Sequence, residues 1–169
     1  MMRNRIKNTL LLIFLLTSLA CEKDEICLEE ITPKLILRFY DQNDPDEFKS
    51  VRDLKINIEG IEGDYTDTSI SSLTDSIAIP IKVSANMTRF ILTLPGDDSQ
   101  DIEENRDTLT LIYLQEDIFV SRSCGYKTVF HEGEAALTED GDNWIKLLEQ
   151  KDDPLEITDE NRAHVKIYH

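Results

Sequence analysis

Residues 34–39 read Lys34-Leu35-Ile36-Leu37-Arg38-Phe39. Leu35, Leu37 and Phe39 take every second place, with Lys34, Ile36 and Arg38 between them. Successive side chains of an extended strand point to opposite faces, so this spacing puts three large apolar groups on one face. The pattern recurs in Leu54, Ile56 and Ile58, in Ile77, Ile79, Ile81 and Val83, in Phe90, Leu92 and Leu94, and in Leu109, Leu111 and Tyr113. Such alternation marks half-buried strands. Further strands are expected at 118–122, 126–131 and 163–168, the last with Val165 and Ile167 opposite His164, Lys166 and Tyr168. Turn-forming runs separate the sets: Asn43-Asp44-Pro45-Asp46, Glu62-Gly63-Asp64, Pro95-Gly96-Asp97-Asp98 and Glu139-Asp140-Gly141-Asp142. Pro80 cannot donate to a ladder, so its strand belongs at an edge or is bulged there. Residues 97–107 are polar and acid-rich and read as a mobile loop. The stretch 143–150 fits either a short capped helix or a strand. The whole predicts an all-β antiparallel sandwich, immunoglobulin-like or similar, of about 7–9 strands.

The first 20 residues follow another rule. Arg3, Arg5 and Lys7 are basic, no acid occurs before Cys21, and Leu10 to Leu16 form an unbroken apolar run. A basic flank and a short apolar run make a secretory signal. A spanning helix needs about 20 apolar residues, more than Thr9 to Ala20 supplies. The run ends in Ser18-Leu19-Ala20-Cys21, which resembles a lipobox, with Ser18 where leucine is usual. That resemblance implies cleavage after Ala20 and acylation of Cys21; the alternative is a plain signal peptide cut elsewhere. At about 0.8 kcal/mol per buried methylene, two or more acyl chains anchor stably. The chain then divides into a lipoprotein signal peptide at 1–20 (the signal helix), a lipidated N-terminus and tether at 21–31, and one β-sandwich domain at 32–169. Glu22-Lys23-Asp24-Glu25 reads as a solvated tether. It also resembles the Lys-Asp/Glu export signal of Bacteroidota surface lipoproteins.

The formal net charge is −16 over 169 residues. Loss of the three basic residues of the signal would make it more negative still. Such a surface does not neutralise phosphates, which argues against nucleic acid, and it keeps the body of the protein off anionic headgroups. About 150 residues remain after cleavage, enough to bury a core without a metal. With Cys21 acylated, Cys27 and Cys124 are left. In an oxidising compartment these two are expected to pair, closing a loop worth up to about 4–5 kcal/mol. The alternative is two separate buried thiols.

No catalytic constellation stands out. The three histidines are His131, His164 and His169, and no Gly-x-Ser-x-Gly, phosphate loop or zinc motif accompanies them. With 34 acidic residues, a pair of carboxylates across a cleft has no specificity. Calcium is the least weak metal idea, on the turns Asp41–Glu47 and Glu139–Asn143, but neither fits an EF-hand loop. Asp75-Ser76-Ile77 and Asp107-Thr108-Leu109 resemble the Asp-Ser/Thr-apolar acceptor for O-glycosylation in Bacteroidota. The expectation is no catalytic residues, no cofactor and no metal.

Three stretches together resemble one family: Thr32-Pro33-Lys34-Leu35-Ile36-Leu37-Arg38-Phe39-Tyr40-Asp41, Ser121-Arg122-Ser123-Cys124-Gly125-Tyr126 and His164-Val165-Lys166-Ile167-Tyr168. They are similar to an uncharacterised Bacteroidota lipoprotein family, a domain of unknown function. The resemblance spans most of 21–169. It implies a cysteine soon after the lipid site accompanied by a later Cys-Gly, matching Cys27 and Cys124, and it implies no activity. The expected role is a lipid-anchored envelope or cell-surface protein, held on the membrane through Cys21 and facing the periplasm or the exterior from the outer membrane. The domain would be a non-catalytic binding or structural module. The alternatives are a glycan- or cation-binding accessory protein, for which Tyr65, Tyr126, Trp144 and Tyr168 are the aromatics to watch, and a subunit of an envelope complex.

Overall fold

In the computed structural model of the chain, the described residues are 26–27, 32–62, 73–96 and 103–169. They contain nine strands and no helix: β1 (Leu35–Tyr40), β2 (Lys55–Ile58), β3 (Ser76–Ile79), β4 (Met87–Leu94), β5 (Asn105–Ser121), β6 (Gly125–Leu137), β7 (Leu147–Gln150), β8 (Leu155–Ile157) and β9 (Val165–Tyr168). One sheet has four strands in the order β3-β1-β9-β7, the other five in the order β2-β4-β5-β6-β8. This is an all-β sandwich. The expected signal helix lies outside the described residues.

Alternation does what the sequence promised. Leu35, Leu37 and Phe39 are fully buried, and so are Ile56, Phe90, Leu92, Leu109, Leu111, Val165 and Ile167. They form one apolar cluster between the sheets. Pairing is antiparallel except for β1 and β9, which run parallel with Leu37 opposite Val165 and Phe39 opposite Ile167. The sandwich is mostly antiparallel, as expected, with this one parallel seam. A strand's apolar period fixes its buried face and not its neighbour's direction.

The third apolar set is shorter than expected. β3 stops at Ile79, immediately before Pro80, and is an edge strand of the four-stranded sheet. Ile81 is still buried, whereas Val83 is exposed. The missing N–H of Pro80 ends the ladder as proline does at sheet edges. The ambiguous 143–150 stretch contains β7, a strand and not a helix. Of the acid-rich 97–107 stretch expected as a loop, residues 97–102 lie outside the described residues. Of its described residues, Asn105 to Asp107 already belong to β5, paired to Leu94, Thr93 and Leu92 of β4. The expected strand at 118–122 is the far end of β5, which runs 17 residues without interruption.

β5 and β6 form a hairpin that outruns its sheet. β4 pairs with β5 only as far as Ile112, opposite Met87. From Leu114 on, β5 is paired with β6 alone, after a register slip between Ile112 and Leu114 and with another between Phe119 and Ser121. Leu114 to Phe119 are all exposed. A two-stranded ribbon is marginal by itself in water, so its outer end depends on other ties.

Candidate functional site

The strongest of those ties is covalent. Cys124 lies in the turn between β5 and β6, and a disulfide joins it to Cys27, with the Cα atoms 4.9 Å apart and a sequence separation of 97. Of the two arrangements open in the sequence, the structure has the pair. Local bonds prepare the turn. Ser121 Oγ accepts from the Cys124 N–H at 3.0 Å and shares a proton with Ser123 Oγ at the same distance. Gly125 takes φ +71°, a left-handed conformation that a side chain would resist.

Around this bridge the hairpin end is apolar and uncovered. Phe119 is 56% exposed and Tyr126 63%, and their rings meet edge to face with centroids 5.4 Å apart. They are opposite one another in the ladder, as are Ile118 and Lys127 on the other face. Arg122 is exposed in the turn. Between Ile118 and His131 the chain carries no acid. The first acids back from the end are Asp117, which accepts from Thr128 Oγ1 at 2.7 Å, and Glu116, which lies 3.4 Å from His131 Nε2.

His131 stands where the hairpin re-enters the sandwich. Its Nδ1 pairs with Glu156 on β8. Two carboxylates thus flank one imidazole. The β6 backbone is irregular just beyond: Glu132 has φ +48°, and the register to β8 slips between Phe130 and Gly133. Next to this bulge an open groove of about 600 Å³ is lined by Glu132, Glu134, Leu148, Glu149, Gln150, Asp153 and Pro154 among others. Its acids are partly engaged. Glu149 accepts from Lys166 Nζ and from the Tyr168 hydroxyl, both at 2.9 Å, and the Lys166 bond chiefly holds its pKa below the usual range.

The other two histidines are packing groups. His164 is buried, and its Nδ1 accepts from the Ile36 N–H at 2.9 Å, which ties β1 to the chain entering β9. Burial is the first cause of its lowered pKa. His169 lies edge-on to Trp144, centroids 5.6 Å apart, and burial lowers its pKa too.

Asp107 has no exposed surface. Its two oxygens accept from the N–H groups of Trp144 at 3.3 Å and Ile145 at 2.8 Å. Burial raises its pKa, and those two N–H bonds pull the other way. It fastens the segment that crosses from β6 to β7. The buried Trp144 donates from Nε1 to the Leu92 carbonyl at 3.2 Å. The second acceptor triplet therefore begins in the core and not in solvent.

The acidic turns bind their own backbone. Asp41 Oδ1 accepts from the Asn43 N–H at 2.8 Å, and this bond is the first cause of its lowered pKa. Asp140 Oδ1 accepts from the Asp142 N–H at 3.2 Å. Among the described residues no three His, Cys, Asp or Glu side chains are placed to share a metal ion. Of the aromatics proposed for a glycan platform, Trp144 and Tyr168 are buried, Tyr126 is exposed and Tyr65 lies outside the described residues. So do Ala20 and Cys21.

A family model described as a family of unknown function, DUF6452, matches residues 55–169. The chain belongs to that family. The matched span contains β2 to β9 and Cys124, and it stops short of β1 and Cys27. No curated protein and no solved structure matches this DUF6452 chain.

Proposed function

We propose that this DUF6452 chain is an envelope lipoprotein of the Bacteroidota type, cleaved after Ala20 and acylated on Cys21. Its β-sandwich would act as a non-catalytic binding or structural module on the periplasmic or outer face of the outer membrane. The Cys27–Cys124 bridge carries this reading. Disulfides persist in exported proteins and are rare in reducing compartments. This one begins six positions after a cysteine that follows a basic, then apolar, leader ending in Ser18-Leu19-Ala20. The acidic surface suits a domain held in water beside a membrane.

Intact mass of the mature protein, purified from its native membrane, tests the reading. The expected mass is that of residues 21–169 plus a diacylglyceryl adduct on Cys21, with Cys27 and Cys124 resisting alkylation until reduced. A mature chain with a free Cys21 thiol overturns it.

A further inference from the structure

The bridge does more than close a loop, because it ties the turn of the longest hairpin, at Cys124, to a cysteine close in sequence to Cys21. Six peptide steps separate Cys21 from Cys27. However they are arranged, they reach at most about 20 Å. Acyl chains on Cys21 would therefore hold the turn of the β5–β6 hairpin within that distance of the bilayer surface. This step rests on the lipoprotein reading above.

The residues found there match that location. Phe119 and Tyr126 are large, exposed and paired, Ile118 is 38% exposed, and Arg122 and Lys127 flank them. Phe and Tyr rings settle among headgroups, and Lys and Arg stems lie along apolar surface while their charges reach phosphate. The chain as a whole repels an anionic surface, yet from Ile118 to His131 it carries no acid. Glu116 and Asp117 set the depth at which repulsion returns. The opposite end of the sandwich carries Glu139, Asp140 and Asp142 on an exposed turn.

We propose that the end of the β5–β6 hairpin, centred on Phe119 and Tyr126, is a membrane-contact tip that rests in the lipid headgroup layer beside the acylated N-terminus. The sandwich then stands off the bilayer on a two-stranded arm, with the bridge keeping arm and anchor together.

The test uses the full mature protein, with its acylation verified by mass, in vesicles of phosphatidylethanolamine with a minor fraction of phosphatidylglycerol. Phe119→Trp adds an indole at the tip, and Glu139→Trp adds one at the far end. The lone native Trp144 is buried and serves as the constant background. Lipids brominated near the headgroup should quench the Phe119→Trp signal, as expected of an interfacial indole, and leave the Glu139→Trp signal unchanged. Reducing the bridge on intact vesicles should abolish most of that quenching while the protein stays vesicle-bound. Equal quenching at both positions, or none at the tip of an acylated protein, overturns the proposal and leaves the anchor standing. A concentration-dependent blue shift of the tip indole without lipid, from contact between copies, overturns it as well. An unacylated mature chain overturns the lipoprotein reading and the proposal with it.

Discussion

Asp107 directs its two oxygens at two backbone N–H groups, those of Trp144 and Ile145. Leaving such groups buried and unpaired costs about 1–3 kcal/mol each. Asp107→Ala should therefore lower stability by about 2–4 kcal/mol, read as a fall in the urea midpoint with the slope unchanged. Its raised pKa has the opposite consequence for pH. The folded chain holds the extra proton above 3.8, so this group alone weakens the fold as pH climbs from there through the raised value. His164 and His169 act in the other direction. Both are lowered from 6.5, so between the lowered values and 6.5 the unfolded chain binds more protons. Their contribution is complete above 6.5 and is lost as pH falls from 6.5 through the folded values. Protonation at Nδ1 of His164 would also remove the acceptor for the Ile36 N–H. Urea midpoints at about pH 7.5 and about pH 5.5 should differ less in His164→Asn than in the parent chain. Neither role was legible in the sequence. Asp107 sat in an acid-rich stretch that reads as loop, and His164 on a terminal strand with no partner in view.

At the scale of elements, the bulge between β6 and β8 is the tightest backbone approach available to a test. A Cβ on Gly133 would lie 2.9 Å from the Leu155 carbonyl oxygen and 3.1 Å from the Leu155 Cβ. Leu155 is fully buried and cannot give way. Gly133→Ala should cost about 1–3 kcal/mol and raise amide exchange across β8 before it does so in β4. Sequence periodicity found β1, β2, β4 and the inner half of β5 because each has one wet and one dry face. It found β8 not at all, since three residues are too few for a period to register. It split β5 in two because beyond Tyr113 both faces are wet and alternation loses its meaning. The parallel partnership of β1 and β9 left no trace either, as both strands are apolar on one face whichever way they run. The candidate site divides in the same way. The cysteine pair could be named from counting thiols, while the hairpin it staples needed the register of β5 against β6.

For the whole molecule, the bridge links positions 97 residues apart. Its reduction should cost up to about 4–5 kcal/mol in the chain-entropy account, checked by urea unfolding with and without reductant. The parallel seam between β1 and β9 spans further still, from Leu37 to Val165. β9 lies between β1 and β7, so the four-stranded sheet has no continuous middle until the last strand is in hand. Deleting residues 165–169 should leave a chain without a cooperative melt, since Val165, Ile167 and Tyr168 are all buried there. There is a consequence in time. During synthesis β1 cannot take its central neighbour until β9, more than a hundred residues further on, has been made. Contacts of such long sequence separation form slowly. A sheet built this way cannot close around β1 until its seam with β9 has formed, whatever the five-stranded sheet has already done.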